Sequence, residues 1–457
     1  MKPGADASAT LSPRSPVMVG AAEQRRGLAP FEHSPYDWLH DVVFDAFGGE
    51  FRMALKLGRS FLAGLLAAAC VVTSSAAQEP DFRDWLEGFR AEAAAAGISK
   101  DVMDAAFERV EINQRVFELN DNQPEFARAV WDYLDSAVSA NRIAKGREKI
   151  AENRALLARI EQAYGVDAQI IAAIWGLESS YGAIMGDHDA IGALATLAWK
   201  GRRTGYGRAQ LIGALKIIQN GYANRDQLKG SWAGAMGQTQ FIPTTYLAYA
   251  VDHDGDGKRD IWTNLGDVFS STANYLATSN YDADEPWGVE VTLPAGFDYA
   301  LADVDQRRAL VEWASAGVEA ARGELLAGRD PNLRGRILLP AGARGPAFLV
   351  FGNFDAILRY NNSTAYGLAV GLLSERLAGG DLGVVSPWPR DDRALTLSER
   401  MALQQSLKDK GFDPGPVDGV IGAGTKRALR AWQRSEGLPE DAYASAQILS
   451  RLTGSAP

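Results

Sequence analysis

The sequence predicts a mainly α protein with small β elements, closed by a small helical domain behind a linker. Three observations carry this expectation. Alanine-rich stretches with helical apolar spacing run from Phe82 to about Gln219. Trp287–Gly345 holds short β-like pieces, such as Val289-Glu290-Val291-Thr292-Leu293, and one or two helices. A Pro-containing polar run, Ser386-Pro387-Trp388-Pro389-Arg390-Asp391-Asp392, follows Gly379-Gly380 and precedes a compact unit of about 60 residues.

With 457 residues, 46% hydrophobic and 23% charged, the chain can bury two or three cores at roughly 150 residues per domain. A net charge of −10 argues against a nucleic-acid surface, which normally carries a basic patch. Eleven tryptophans and fourteen tyrosines could stack on sugar faces, although aromatics more often fill cores. The single cysteine, Cys70, leaves no intramolecular disulfide. Four histidines without a His-Glu-x-x-His run argue against a zinc hydrolase.

The first elements concern export. Met53 is followed by Lys56 and Arg59, an apolar run from Phe61 to Val72, and Ser75-Ala76-Ala77 before Gln78. That order is a secretory signal peptide over 53–77, too short for a stable membrane span. Residues 1–52 then read as an extension upstream of the true initiator, or as a disordered cytoplasmic tail before a short anchor. Soluble periplasmic export is favoured over an outer-membrane lipoprotein acylated at Cys70, because Leu66 sits one place too far upstream for a lipobox.

The helical region 78–385 contains the amphipathic stretches Phe82–Ala96, Glu125–Ala140 and Arg147–Tyr164. Tyr164-Gly165 reads as a helix stop and Asp167 as the N-cap of the next helix. That helix carries Ile170, Ile171, Ile174 and Leu177 on a core-facing stripe and ends near Gly182. Glu178 continues the stripe, four residues after Ile174. On position alone it is more readily a surface glutamate beside a helix end.

Cleaving a glycosidic bond requires an acid that protonates the leaving oxygen, typically a carboxyl with a pKa raised by apolar surroundings. Glu178, among Trp175, Leu177 and Tyr181, suits that role. Most glycosidases add a second carboxylate as base or nucleophile, and none stands close to Glu178 in the sequence.

Gly176-Leu177-Glu178-Ser179-Ser180-Tyr181-Gly182 resembles the catalytic-glutamate motif of lytic murein transglycosylases. Lys229-Gly230-Ser231-Trp232-Ala233-Gly234-Ala235-Met236-Gly237-Gln238-Thr239-Gln240-Phe241-Ile242-Pro243 resembles the signature of their B type. Ala193–Ala198 lies between the two motifs, and Asn353–Tyr366 resembles the closing one. The resemblance spans about 82–380 and implies a lysozyme-like helical catalytic domain. It further implies that the β-1,4 bond between N-acetylmuramic acid and N-acetylglucosamine is cleaved without water, leaving 1,6-anhydro ends. Glu178 would be acid and then base, with no cofactor. Ser231, Gln240, Tyr275, Asn361 and Tyr366 are expected in the site, with Tyr206 and Tyr360 beside them. The chain departs from the pattern at Gly207, where an aromatic is expected, and at Gln210, where a glutamate is.

Asp252-His253-Asp254-Gly255-Asp256-Gly257-Lys258-Arg259-Asp260 has the spacing of an EF-hand loop. Asp252, Asp254, Asp256 and the Lys258 carbonyl would be ligands of a structural calcium ion. Thr263 stands where a bidentate glutamate belongs, with Asp267 as a distal substitute. The alternative is a solvated acidic turn without an ion.

Linker 386–394 leads to 395–457. There Leu403–Leu407, Gly411-Phe412, Val417–Gly422, Thr425, Ala428-Leu429 and Trp432-Gln433 resemble a three-helix peptidoglycan-binding domain, expected here as a module on a tether. The implied partners are peptidoglycan glycan strands and, further off, other cell-wall enzymes. A hydrolytic muramidase and a wall-binding scaffold without turnover are the competing readings.

Overall fold

The computed structural model describes residues 81–121, 128–201, 203–302, 306–380 and 383–454; the expected extension, export signal and Cys70 lie outside them. Asp81 caps the first helix, its carboxylate accepting the Arg83 N–H at 2.8 Å. The helices then run α1 (Phe82–Ala95), α2 (Lys100–Phe107), α3 (Gln114–Asp121), α4 (Val130–Ala137), α5 (Ala140–Glu152), α6 (Arg154–Tyr164) and α7 (Ala168–Ser179). The stretch expected as one helix over Arg147–Tyr164 breaks at Asn153. Its backbone N–H and its side-chain amide both donate to the Lys149 carbonyl, which ends α5. Gly165, at φ +64°, stops α6 as the sequence suggests.

Helix α7 departs from the amphipathic expectation. It is buried on nearly every side, from Ile170 through Gly176, so it is a core helix. Asp167 precedes it without capping it, because Asp167 Oδ2 instead accepts the Tyr281 hydroxyl at 2.6 Å.

Next come β1 (His188–Asp189), α8 (Ala190–Trp199), α9 (Thr204–Gln219), β2 (Lys229–Gly230), α10 (Pro243–Tyr249) and α11 (Leu265–Thr278). Helices α8 and α9 lie in close contact. A methyl group at Gly207 would stand 2.3 Å from the Ala198 nitrogen, so the aromatic expected at that position has no room. Gln210 is buried and serves as both donor and acceptor. Its Oε1 accepts the Thr244 N–H at 3.0 Å and its Nε2 donates to Thr244 Oγ1 at 3.0 Å. An ionised glutamate could only accept.

Strand β3 (Gly288–Thr292), β4 (Arg308–Ala309), helix α12 (Leu310–Ser315), β5 (Glu319–Ala320), β6 (Arg334–Leu338) and β7 (Ala347–Val350) follow. They form an antiparallel sheet in the order β4-β6-β7-β3-β5. Strand β7 divides two cores by simple alternation. Phe348 and Val350 join the main helical core, while Ala347 and Leu349 face a smaller core around Trp313, Phe297 and Ile337. Helices α13 (Gly352–Tyr360) and α14 (Thr364–Leu377) return to the main core, where α14 packs on α4, α5 and α7.

The C-terminal unit consists of α15 (Leu397–Asp409), α16 (Ala423–Ser435) and α17 (Ala446–Thr453) around Leu403, Leu407, Leu429 and Trp432. Thr396 and Glu399 form a capping box on α15. Buried Gln404 accepts the Asp418 and Gly419 N–H groups and donates to the Val420 carbonyl, which ties the turn-rich segment to α15.

This unit does not hang on a loose tether. Trp388 of the linker packs on Trp131 of α4 with ring centroids 6.1 Å apart, beside Ala341 and Tyr443. Arg390 pairs with Asp135 at 2.7 Å, Ala343 N–H donates to Asp441 Oδ2 at 2.7 Å, and Arg344 donates to Gln447 at 2.7 Å. Pro387 and Pro389 restrict the linker backbone, and these contacts fix its course. Among the described residues no helix is long and apolar enough to cross a membrane.

Candidate active site

Glu178 lies in the last turn of α7, and its environment follows from that placement. The carbonyls at a helix C-terminus disfavour a nearby negative charge. Desolvation does more and outweighs the lowering effect of a hydrogen bond from Tyr366, so the Glu178 carboxyl is raised to about 7. The Tyr366 hydroxyl donates to Glu178 Oε1 at 2.7 Å, from a side chain only 4% exposed. Ser363 caps α14 by accepting the Tyr366 N–H, which sets the phenol at the start of that helix. Desolvation and the hydrogen bond from the Tyr366 hydroxyl are the causes of the shift, and no neighbouring charge is among them.

A residue that sequence reasoning missed feels the charge of this carboxyl. Tyr133 of α4 is pushed up to about 12, chiefly by burial and next by the Glu178 charge. No motif marks it, since its helical spacing to Val130 and Ala137 reads as core. Helix α4 packs on α14, the helix that carries Tyr366.

Beyond Glu178 the backbone makes a left-handed turn, with φ +51° at Ser180, +62° at Tyr181 and +80° at Gly182. Two of these are not glycine, so the surroundings must hold the turn. Trp175 O accepts the Tyr181 N–H at 3.2 Å and the Ser179 hydroxyl at 3.2 Å. The Tyr181 phenol donates to Arg142 O at 2.9 Å, and Lys145 donates to Ser180 O at 3.1 Å.

The other expected residues reach this turn through backbone links. Pairing of His188 with Gly230 brings the Ser231 loop beside the segment after Glu178. The approach is close enough that a methyl at Gly186 would stand 2.2 Å from Gly230 O. Ser231 Oγ accepts the Ala233 and Ala235 N–H groups, and the Tyr206 hydroxyl donates to Ala233 O at 2.8 Å. Gln240, at φ +52°, donates to Met185 O at 3.0 Å and Gly237 O at 2.9 Å. Asn361 ends α13 and is half-buried.

Tyr275 and Tyr360 differ from the sequence expectation of sugar-facing groups. They are 3% and 2% exposed, and their hydroxyls donate to Arg359 O at 2.5 Å and Thr239 O at 2.6 Å. With Phe241 they form an aromatic cluster under the Thr239-Gln240 segment. They support that segment from within the core.

In the acidic loop, ligand atoms of Asp252, Asp254 and Asp256 lie within 4.8 Å of one another, and Gly257 takes φ +87° at the sixth position. This oxygen donor set fits a hard cation such as calcium. Asp267 does not join it, because its two oxygens accept the His253 and Asp260 N–H groups at 2.8 and 2.6 Å. Thr263 is likewise engaged, its hydroxyl donating to Asp260.

Residues 81–375 match the transglycosylase SLT domain, and 396–452 match a putative peptidoglycan binding domain. The membrane-bound lytic murein transglycosylase B of Escherichia coli K12 is 30% identical over 278 residues, 58% of this chain and 74% of that protein. SltB3 of Pseudomonas aeruginosa, solved with NAG-anhNAM-pentapeptide, is 49% identical, with a TM-score of 0.79 over 82% of this chain and 99% of its own. Escherichia coli Slt35, solved with calcium, is 28% identical, with a TM-score of 0.55 over 66% of this chain and 94% of its own. The chain belongs to the transglycosylase SLT-domain family of lytic murein transglycosylases, mainly α enzymes with a lysozyme-like core.

Proposed function

We propose that this enzyme cleaves the β-1,4 bond between N-acetylmuramic acid and N-acetylglucosamine in peptidoglycan without water, with Glu178 as its catalytic acid and base. One observation carries the assignment: a carboxyl held at 2.7 Å by the Tyr366 hydroxyl and raised to about 7 by desolvation, with no neighbouring charge among the causes. A group with that pKa keeps its proton near neutrality and can deliver it to the glycosidic oxygen as the C1–O bond breaks. The resulting carboxylate, stabilised by the Tyr366 hydroxyl, removes the proton from the muramic C6 hydroxyl. That oxygen then bonds to C1, closing the 1,6-anhydro ring. The proton given up in the first step is regained in the second, so the enzyme returns unchanged. Because the nucleophile is part of the substrate, proximity takes the place of a captured water.

SltB3 has been solved with both NAG-anhNAM- and NAG-NAM-pentapeptide, which supports a peptidoglycan glycan strand as substrate here. Ser231, Gln240 and Asn361 are the polar candidates for holding sugar hydroxyl and N-acetyl groups. Asp252, Asp254, Asp256 and the Lys258 carbonyl would hold calcium, whose contribution would be rigidity and not chemistry. The C-terminal unit would keep the enzyme at the wall by raising its effective concentration there. The segment 53–77 supports export to the periplasm as a soluble protein, with acylation at Cys70 as the alternative.

The test is Glu178→Gln in the full chain, incubated with purified sacculi. Loss of released product with wall binding retained is expected. Undiminished release would refute the assignment, and undiminished binding without turnover in the wild type would favour a scaffold.

A further inference from the structure

We propose that Gln238 is a positioning residue for Glu178, joining the indole of Trp175 to the carbonyl of Trp262 and thereby fixing the turn that follows the carboxylate. The proposal rests on the reading of Glu178 as the catalytic residue.

Trp175 stands three residues before Glu178, on the same buried helix. Its Nε1 donates to Gln238 Oε1 at 2.7 Å, and Gln238 Nε2 donates to Trp262 O at 2.8 Å. The orientation of the amide follows from its partners, since an indole N–H can only donate and a carbonyl can only accept. The Gln238 backbone N–H donates to Ile261 O at 2.8 Å, so main chain and side chain both anchor to the segment 261–262. Gln238 is 7% exposed, and the Trp175 ring is held edge-on by Phe269 and Tyr181.

The same amide supports the left-handed turn. A methyl group at Gly182 would stand 2.4 Å from Gln238 Oε1 and 2.9 Å from its Cδ. Gln238 cannot swing aside without giving up both hydrogen bonds. Trp175 supplies the carbonyl that accepts the Tyr181 N–H and the Ser179 hydroxyl, so moving its indole would move the end of α7. The 2.7 Å contact between Glu178 and Tyr366 depends on where that end lies. Misplacing a reacting group by a fraction of an ångström lowers turnover with little effect on ground-state binding.

Gln238→Met keeps side-chain length and removes both bonds. On a soluble glycan of alternating N-acetylglucosamine and N-acetylmuramic acid, kcat should fall about tenfold while KM stays within about twofold. Loosening of the Tyr366 bond, which lowers the Glu178 pKa, should also move the alkaline limb of kcat/KM upward. Trp175→Phe removes the indole N–H from the other side. It should give a smaller kcat loss with the same upward limb, and the double variant should be no worse than Gln238→Met. A lowered melting temperature with wild-type kcat and an unmoved limb would overturn the proposal. Should Gln238→Met fail to fold, Trp175→Phe decides alone, and wild-type kcat and pH profile in it would overturn the role. Glu178→Gln separates the two levels. Activity retained there sinks the catalytic assignment, whereas an inactive Glu178→Gln beside an unaffected Gln238→Met sinks only the positioning role.

Discussion

The hydroxyl of Tyr366 donates to Oε1 of Glu178 at 2.7 Å across 188 positions of sequence. This bond opposes the desolvation that raises the carboxyl to about 7. If the protonated form starts the reaction, kcat/KM should decline as pH rises through about 7. Tyr366→Phe removes the group that favours the ionised form, so the limb should move to higher pH. Turnover should drop about tenfold, the worth of a hydrogen bond to a charged group. Initial rates on soluble glycan across that range measure both effects.

The same carboxyl should cost stability. Its folded pKa lies above the ordinary glutamate value of 4.5, so the folded chain binds the proton more tightly than the unfolded chain. Stability from this group is therefore complete below about 4.5 and is lost as pH rises to about 7. Glutamine carries no charge at any pH. Glu178→Gln should thus stabilise the protein at pH above 7, by about 2 kcal/mol after allowing for solvent at this half-buried side chain, and hardly at all near pH 4. Urea denaturation at the two pH values provides the comparison.

At Gly207, contact between α8 and α9 leaves no space for a side chain. Gly207→Ala places carbon 2.3 Å from the Ala198 nitrogen, which is backbone and cannot rotate away. A destabilisation of about 3 kcal/mol is expected from the forced separation of the helices, despite alanine's better helix propensity. A variant as stable as wild type would show that the helices can part freely.

Calcium should act on stability and leave the chemistry alone. If Asp252, Asp254 and Asp256 bind it, calcium at about 100 times its dissociation constant should add about 2.7 kcal/mol to unfolding. Asp254→Ala should abolish this gain, and Asp267→Asn should instead lower stability with or without calcium, because its oxygens hold two backbone N–H groups. Melting curves with calcium and with chelator distinguish the two.

Different parts of this architecture were legible in the sequence to different degrees, for physical reasons. Helical spacing and turn residues revealed the mainly α class, and Gly165 ended a helix as its lack of Cβ allows. Glu178 was legible through the motif around it. Tyr133 was not, because the Glu178 charge that raises it comes from another helix 45 positions away, which no local pattern encodes. Asp167 looked like an N-cap, but the Tyr281 hydroxyl claims its carboxylate from 114 positions away. Tyr275 and Tyr360 were assigned to the site by position in a pattern, and only their burial reveals a supporting place. The polar, Pro-containing linker suggested freedom, whereas Trp388 meets Trp131 and is held there.

The docking of the C-terminal unit on the catalytic region has a measurable consequence. Removing residues 390–457 should weaken wall retention more than cleavage of soluble fragments. It should also lower the melting temperature of the remaining chain, because Arg344 loses Gln447 and Ala343 N–H loses Asp441. Arg344→Ala with Asp441→Asn should reproduce part of that loss while the unit stays attached.

The central claim is that Glu178 serves in turn as acid and base and that the substrate, not water, supplies the nucleophile. Digestion of purified sacculi in heavy-oxygen water, followed by mass spectrometry of the released muropeptides, tests it most directly. The released muropeptides should carry 1,6-anhydro ends without heavy oxygen, and Glu178→Gln should release none of them. Reducing ends carrying heavy oxygen would contradict it and identify a hydrolase.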